Sequence, residues 1–287
     1  MGALRAAITK IEGHELCGGA DREPAEAAWQ LGCPVIDRLL PQGLDAGGVH
    51  EVKAAARPGS YGNGPYGHSA SAGDWMTGLG FALRLAVRRT MMARENKQDA
   101  PWMLWCWPRA LAGEFGALSA RGLAELGLDP SRLLIVETAR ASDALVALED
   151  GLKSSSLSLA FGIFDEIALT PARRLSLAAA TTATPCLLIT HPASPASGAT
   201  ATRWRVGRMQ SAPHAYEARA PGKVRFRVGL ERCRSAPQSA QRGMALVEWC
   251  DETRTFNLAS RLADRAPQAG AGDGSSDGST GARRRSA

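Results

Sequence analysis

Short apolar segments that alternate with helical stretches are the feature that most constrains the fold of this 287-residue chain. Three of them, Trp102–Trp107, Leu157–Phe164 and Cys186–Thr190, contain almost no polar residue. A strand of this kind is buried on both faces, as in parallel sheets. Helical periodicity marks the surrounding stretches Trp75–Glu95, Leu111–Leu128, Ser142–Lys153 and Thr170–Thr182. We therefore expect an α/β fold with a mostly parallel twisted sheet and helices on both faces.

The pattern changes after Ala193, where polar and apolar residues begin to alternate. Such alternation is typical of antiparallel strands that have one solvated face. Strands are therefore predicted at Thr202–Gly207, Val224–Leu230, Ala245–Cys250 and Thr255–Leu258. We expect them to form an antiparallel C-terminal extension of the sheet.

Composition divides the chain into three parts. Residues 1–30 are predicted to form a lead-in helix and residues 31–262 the core. Residues 263–287 are predicted to be a disordered tail, because Gly, Ser and Asp leave little to bury there. No apolar run is long enough for a membrane helix, and Lys10 and Glu12 stand where a secretory signal needs an apolar core. We expect a cytoplasmic protein without membrane contact.

A glycine-rich loop follows the first predicted strand, where nucleotide-binding ATPases carry their phosphate loop. It contains Gly59, Gly62, Gly64 and Gly67 but no Gly-Lys-Ser/Thr sequence, and Lys53 precedes it. A catalytic loop needs that lysine for the β- and γ-phosphates and that hydroxyl for Mg²⁺. We therefore interpret the loop as a vestigial phosphate site and expect neither catalysis nor a cofactor. The alternative is that its glycines only provide flexibility.

Asp165 is the second trace of a nucleotide site. It follows the apolar strand Leu157–Phe164, where such folds place the carboxylate that orients Mg²⁺. Without a phosphate loop this carboxylate has no metal–triphosphate to hold, so we interpret it as an idle position or as a turn cap. No metal site is predicted, because the five histidines and six cysteines show no ligand spacing.

Positive charge is concentrated near the C-terminal end of the core. The net charge of the chain is +6, and residues 203–234 contain nine basic and two acidic side chains. Alternation places two arginines on one face of each predicted strand there. If the strands are neighbours, four guanidiniums repel one another unless an anion binds. The alternative is that the arginine stems only cover apolar surface. The predicted contacts to DNA or to an acidic partner are Arg203, Arg205, Arg208, Arg225 and Arg227.

Several segments resemble the RecA family in order and spacing between Leu31 and Leu258. They are LGCPVIDRLLPQGLDAGGVHEV, GLAELGLDPSRLLIVE, LSLAFGIFDEI and CLLITH. The chain departs from that family in lacking the phosphate-loop lysine and hydroxyl. Trp107-Pro108-Arg109 also stands where the family places its catalytic glutamate. The chain therefore resembles a degenerate RecA-like branch, the ImuA family of inducible-mutagenesis accessory proteins, often labelled SulA-related.

This resemblance implies a non-catalytic bacterial protein of the SOS response to DNA damage. Its partners would be a catalytically dead Y-family polymerase-like subunit of the ImuB type and an error-prone DnaE-type polymerase in translesion synthesis. Contact with RecA and with DNA is a further implication. Two alternatives stay open: an active RecA-type ATPase, and a SulA-like inhibitor that binds the cell-division GTPase.

Overall fold

The computed structural model describes residues 29–55, 72–95, 102–195, 197–214, 216–217, 219–236 and 243–259. Its helices are α1 (Pro34–Asp37), α2 (Ala72–Glu95), α3 (Arg109–Phe115), α4 (Ala120–Leu126), α5 (Ala141–Leu152) and α6 (Leu169–Thr182). The strands before residue 200 are β1 (Val49–Ala54), β2 (Trp102–Pro108), β3 (Leu133–Thr138), β4 (Leu157–Phe164) and β5 (Cys186–Thr190). They are followed by β6 (Thr202–Arg208), β7 (Arg225–Cys233), β8 (Ala245–Cys250) and β9 (Thr255–Leu258).

All nine strands join one sheet in the order β3-β2-β4-β5-β1-β6-β7-β8-β9. The pairs from β3 to β6 are parallel, and those from β6 to β9 are antiparallel. The predicted α/β fold with a mostly parallel sheet and an antiparallel extension is therefore confirmed. Since β6 pairs in parallel with β1, the extension continues directly from the central strand.

The predicted single helix Leu111–Leu128 is wrong, because this stretch forms α3 and α4. Gly116, with φ of +81°, ends α3 in a conformation that side chains other than glycine rarely adopt. Ser119 then begins α4 by accepting a hydrogen bond from the Gly122 N–H at 3.1 Å. Helical periodicity continued through this break, so it gave no sign of the interruption.

The core consists of two apolar clusters to which successive residues of a strand contribute in turn. In β5, Leu187 and Ile189 belong to the larger cluster, whereas Cys186 and Leu188 belong to the smaller one. The larger cluster includes apolar side chains of α2 and the aromatic residues of the extension. The smaller cluster includes side chains of α5 and α6. This division follows from the two-residue period of a strand.

Several predicted features fall outside the described residues. They are most of the lead-in segment 1–30, the loop glycines Gly59, Gly62, Gly64 and Gly67, and the tail 263–287. In the described part of the chain, no helix has both the length and the apolar character needed to cross a bilayer.

Candidate functional site

The carboxyl edge of the parallel strands is where ligands bind in sheets of this architecture. Asp165 follows β4 and is exposed there, and its carbonyl oxygen accepts a hydrogen bond from the His191 N–H at 3.1 Å. α2 begins at the same edge, because Gly78 near its start lies beside the end of β1: a Cβ on this glycine would be 3.6 Å from the Ala54 nitrogen. These contacts bring together the ends of β1, β4 and β5 and the start of α2.

The first turn of α2 carries a carboxylate where a phosphate loop would place its lysine and hydroxyl. Asp74 stands in that turn and is only 5% exposed. Its neighbour Trp75 contacts Phe115 and His191, with ring centroids 5.3 and 5.7 Å apart. A carboxylate in the first turn stabilises the helix through its dipole, and it repels a phosphate at the same place.

His191 lies at the end of β5 and is half-buried. Burial lowers the pKa of its imidazole, while the carboxylates of Asp165 and Glu114 raise it and the Lys53 ammonium lowers it. The net effect is a pKa below the ordinary value of a histidine, because the effect of burial is the largest. The sequence showed His191 as an isolated histidine, since the residues that surround it come from α2, α3 and the end of β4.

Lys53 in β1 is turned into the protein and is 1% exposed. Its Nζ donates to the carbonyl oxygen of Ser194 at 2.6 Å and to the Oγ of Ser194 at 2.7 Å. The Nζ of Lys53 also lies 3.5 Å from Oε1 of Glu51. Burial lowers the Lys53 pKa, and Glu51 opposes this shift. These contacts tie the ammonium group to the β5–β6 connection instead of presenting it to a ligand.

Arg203 in β6 is also buried, and its hydrogen bonds are made inside the protein. It is 8% exposed, and its Nε donates to Glu51 Oε2 at 2.7 Å. Its Nη2 donates to the carbonyl oxygen of Ser197, and Thr190 Oγ1 donates to Glu51 Oε1 at 2.8 Å. The Glu51 carboxylate thus contacts two buried cations. We call these three residues, Glu51, Lys53 and Arg203, the Glu51 network.

Two other predicted arginines have carboxylate partners as well. Arg205 pairs with Glu231 at 2.7 Å and also donates to the Pro192 carbonyl oxygen at 2.9 Å. Arg225, 5% exposed, pairs with Glu248 of β8 at 2.9 Å. The expected set of four mutually repelling guanidiniums is therefore wrong, although the β6–β7 register does place the four arginines on one face. Carboxylates from β1, β7 and β8 neutralise three of them.

Arg208 and Arg227 are the two predicted arginines that stay exposed. Arg227 stands opposite Gly207, and its guanidinium lies over that glycine. Arg208 stands opposite Phe226 and so lies on the other face of the sheet. Neither forms an ion pair within the described ranges. Fewer exposed arginines therefore remain than the sequence predicted, and the two lie at the end of β6 and the start of β7, on opposite faces of the sheet.

Comparison with known proteins adds no further constraint. No protein-family model matches this chain. No curated protein matches it either. Among the described residues, no three His, Cys, Asp or Glu side chains come together as metal ligands.

Proposed function

We propose that this chain is a non-catalytic accessory protein that acts by binding partners on a RecA-like core with helices on both faces of the sheet. The observation that carries this proposal is the buried carboxylate of Asp74 in the first turn of α2. A triphosphate site needs positive charge and open N–H groups at that turn. Here Lys53 of the preceding strand β1 is bound to Ser194 instead.

The charge along the carboxyl edge supports the same conclusion. Exposed Glu166 adjoins Asp165, and the carboxylate of Glu114 acts on the imidazole of His191 together with that of Asp165. In the absence of a Gly-Lys-Ser/Thr sequence after β1, which would hold a metal–triphosphate, these carboxylates repel the phosphates of a nucleotide. We therefore assign neither nucleotide hydrolysis nor a cofactor to this chain.

The role that fits best is that of the ImuA-type accessory protein in SOS-induced translesion DNA synthesis in the cytoplasm. The supports are the RecA-like segments of the sequence and the absence of GK[ST] after β1. The proposed partners are an ImuB-type polymerase-like subunit and an error-prone DnaE-type polymerase, with RecA and DNA as further partners. Of the predicted contact arginines, Arg208 and Arg227 are the ones we assign to binding, because they are exposed.

Two experiments test this proposal. The first measures binding and hydrolysis of MgATP by the purified chain, beside an Asp165→Asn variant. We expect no turnover in either protein; turnover that Asp165→Asn abolishes would replace the proposal with an active RecA-type ATPase.

The second experiment captures partners with the tagged chain after DNA damage. We expect the polymerase-like subunit and the DnaE-type polymerase. Capture of the cell-division GTPase without any polymerase component would support the SulA-like alternative instead.

A further inference from the structure

The described residues between β6 and β7 (209–214, 216–217 and 219–224) leave the sheet at its carboxyl edge, and an antiparallel bridge joins Pro213 to Pro221. We call these residues the arm. The Ala212 N–H donates to the Lys223 carbonyl at 2.8 Å, and the Gly222 N–H donates to the Ala212 carbonyl at 2.9 Å. A Cβ on Gly222 would lie 2.6 Å from the carbonyl oxygens of Ala212 and Pro213. Only glycine allows this approach, so the arm has a specific backbone structure.

The tip of the arm presents an aromatic ring to solvent. The Nδ1 of His214 accepts hydrogen bonds from the N–H groups of Tyr216 at 3.3 Å and Glu217 at 3.2 Å. The two rings are 6.1 Å apart. Tyr216 is 95% exposed. The Tyr216 side chain therefore makes no contribution to the core, although its backbone N–H is held by His214.

Positive charge surrounds the arm. Four exposed cations lie on it or at its base, namely Arg208, Arg219, Lys223 and Arg227. Glu217 is the one carboxylate among the described residues of the arm. Arg225 does not contribute to this surface, because it is buried against Glu248. The arm thus combines an accessible ring at its tip with cations that form no ion pair to another described residue.

We propose that the arm binds single-stranded DNA, with an unpaired base stacked on Tyr216 and the phosphates held by the four cations. Stacking on an aromatic side chain requires an unpaired base, whereas the bases of a duplex are already stacked on one another. Cations alone also suit an acidic protein, but the ring at the tip favours the single strand. This inference deepens the proposed function and rests on its assignment of Arg208 and Arg227 to binding, but it does not depend on the polymerase partners.

The test is the fluorescence anisotropy of a labelled oligothymidylate of about 12 nucleotides, titrated with the full chain. Tyr216→Ala should weaken binding by about 5-fold to 150-fold, because the ring is lost. Tyr216→Phe keeps the ring and should stay within about 2-fold of the unchanged chain. At 95% exposure, neither change disturbs the core.

Salt dependence tests the phosphate contacts separately. Arg227→Gln should lower the slope of log affinity against log salt by about 0.7, which is the value for one phosphate contact on a single strand. Arg121→Gln is the matched control, because Arg121 is an exposed cation on α4 whose side chain is 90% exposed. Its slope should stay unchanged.

Three results would overturn the proposal. The first is a chain that does not bind the oligonucleotide at low salt, or that binds a polyglutamate peptide in its place. The second is a Tyr216→Ala variant with unchanged affinity. The third is a duplex that binds as tightly as the single strand. The nucleotide and partner-capture experiments measure other properties of the chain, so a failure of the single-strand proposal is distinguishable from a failure of the accessory function.

Discussion

Replacing Glu51 with alanine should destabilise the protein far more than removing any exposed acid. Glu51 is 2% exposed and lies 2.7 Å from Arg203 and 3.5 Å from Lys53. Its removal leaves two buried cations without a counter-charge. Both keep carbonyl partners, on Ser194 and Ser197, but these partners carry no full charge.

The magnitude follows from the burial of the network. Removing one partner from a buried ion pair costs about 3–5 kcal/mol, because an uncompensated charge stays inside. Glu231→Ala is the matched control, because it breaks the Arg205 pair, in which the side chains are 27% and 36% exposed. Exposed pairs contribute at most about 1 kcal/mol.

The assay is urea unfolding of the unchanged chain and both variants at neutral and at alkaline pH. Glu51 raises the Lys53 pKa against the effect of burial, so its removal lowers that pKa further. The unfolded chain then binds more protons at the position of Lys53 than the folded one does. The stability of Glu51→Ala should therefore rise as the pH increases towards the ordinary lysine pKa.

One result would refute this reasoning. If Glu51→Ala loses no more stability than Glu231→Ala at neutral pH, the Glu51 network does not hold the β5–β6 connection on β1.

Three further predictions concern stability and are checked by urea unfolding. Burial lowers the His50 pKa to about 4, so stability should fall by up to about 3 kcal/mol as the pH drops from 6.5 towards 4. A His50→Gln variant should lack this part of the pH dependence. Arg254 has φ of +53° and donates to the Leu126 carbonyl at 2.6 Å. Arg254→Ala should lose about 1–2 kcal/mol, whereas Arg254→Gly should lose about 1 kcal/mol less because its backbone is unstrained; equal losses would contradict the strain. Gly162→Ala should cost about 1–3 kcal/mol, since its Cβ would lie 2.6 Å from Phe164 and 2.7 Å from Leu148; an unchanged midpoint would contradict this packing.

The sequence predicted strands more accurately than helices. The bounds of β4, β5, β8 and β9 agree with the prediction, because apolar or alternating segments with clear ends leave little choice of strand. The break between α3 and α4 was missed, because the torsion angle that ends α3 at Gly116 is not visible in hydrophobic periodicity.

The candidate site was harder to predict than the fold. The sequence identified Asp165 because it follows the end of an apolar strand, and it identified the missing lysine because no Gly-Lys-Ser/Thr sequence follows β1. It did not identify Asp74, Trp75 or His191 as neighbours, because the strand order that joins them is a property of the whole sheet. The sequence did contain one sign of this difference. Asp74 stands just after the glycine-rich loop, where phosphate sites carry a lysine.

Local residue patterns determined the strands and the faces of β6 and β7, because backbone alternation depends only on neighbouring residues. Only the tertiary structure decided which of the predicted arginines remain exposed. The carboxylates that neutralise Arg203 and Arg225 come from β1 and β8, far away in the chain. Charge interactions act through space and not along the chain. A basic segment of the sequence therefore does not reveal which carboxylates will pair with its arginines, because the assembled sheet brings these carboxylates close.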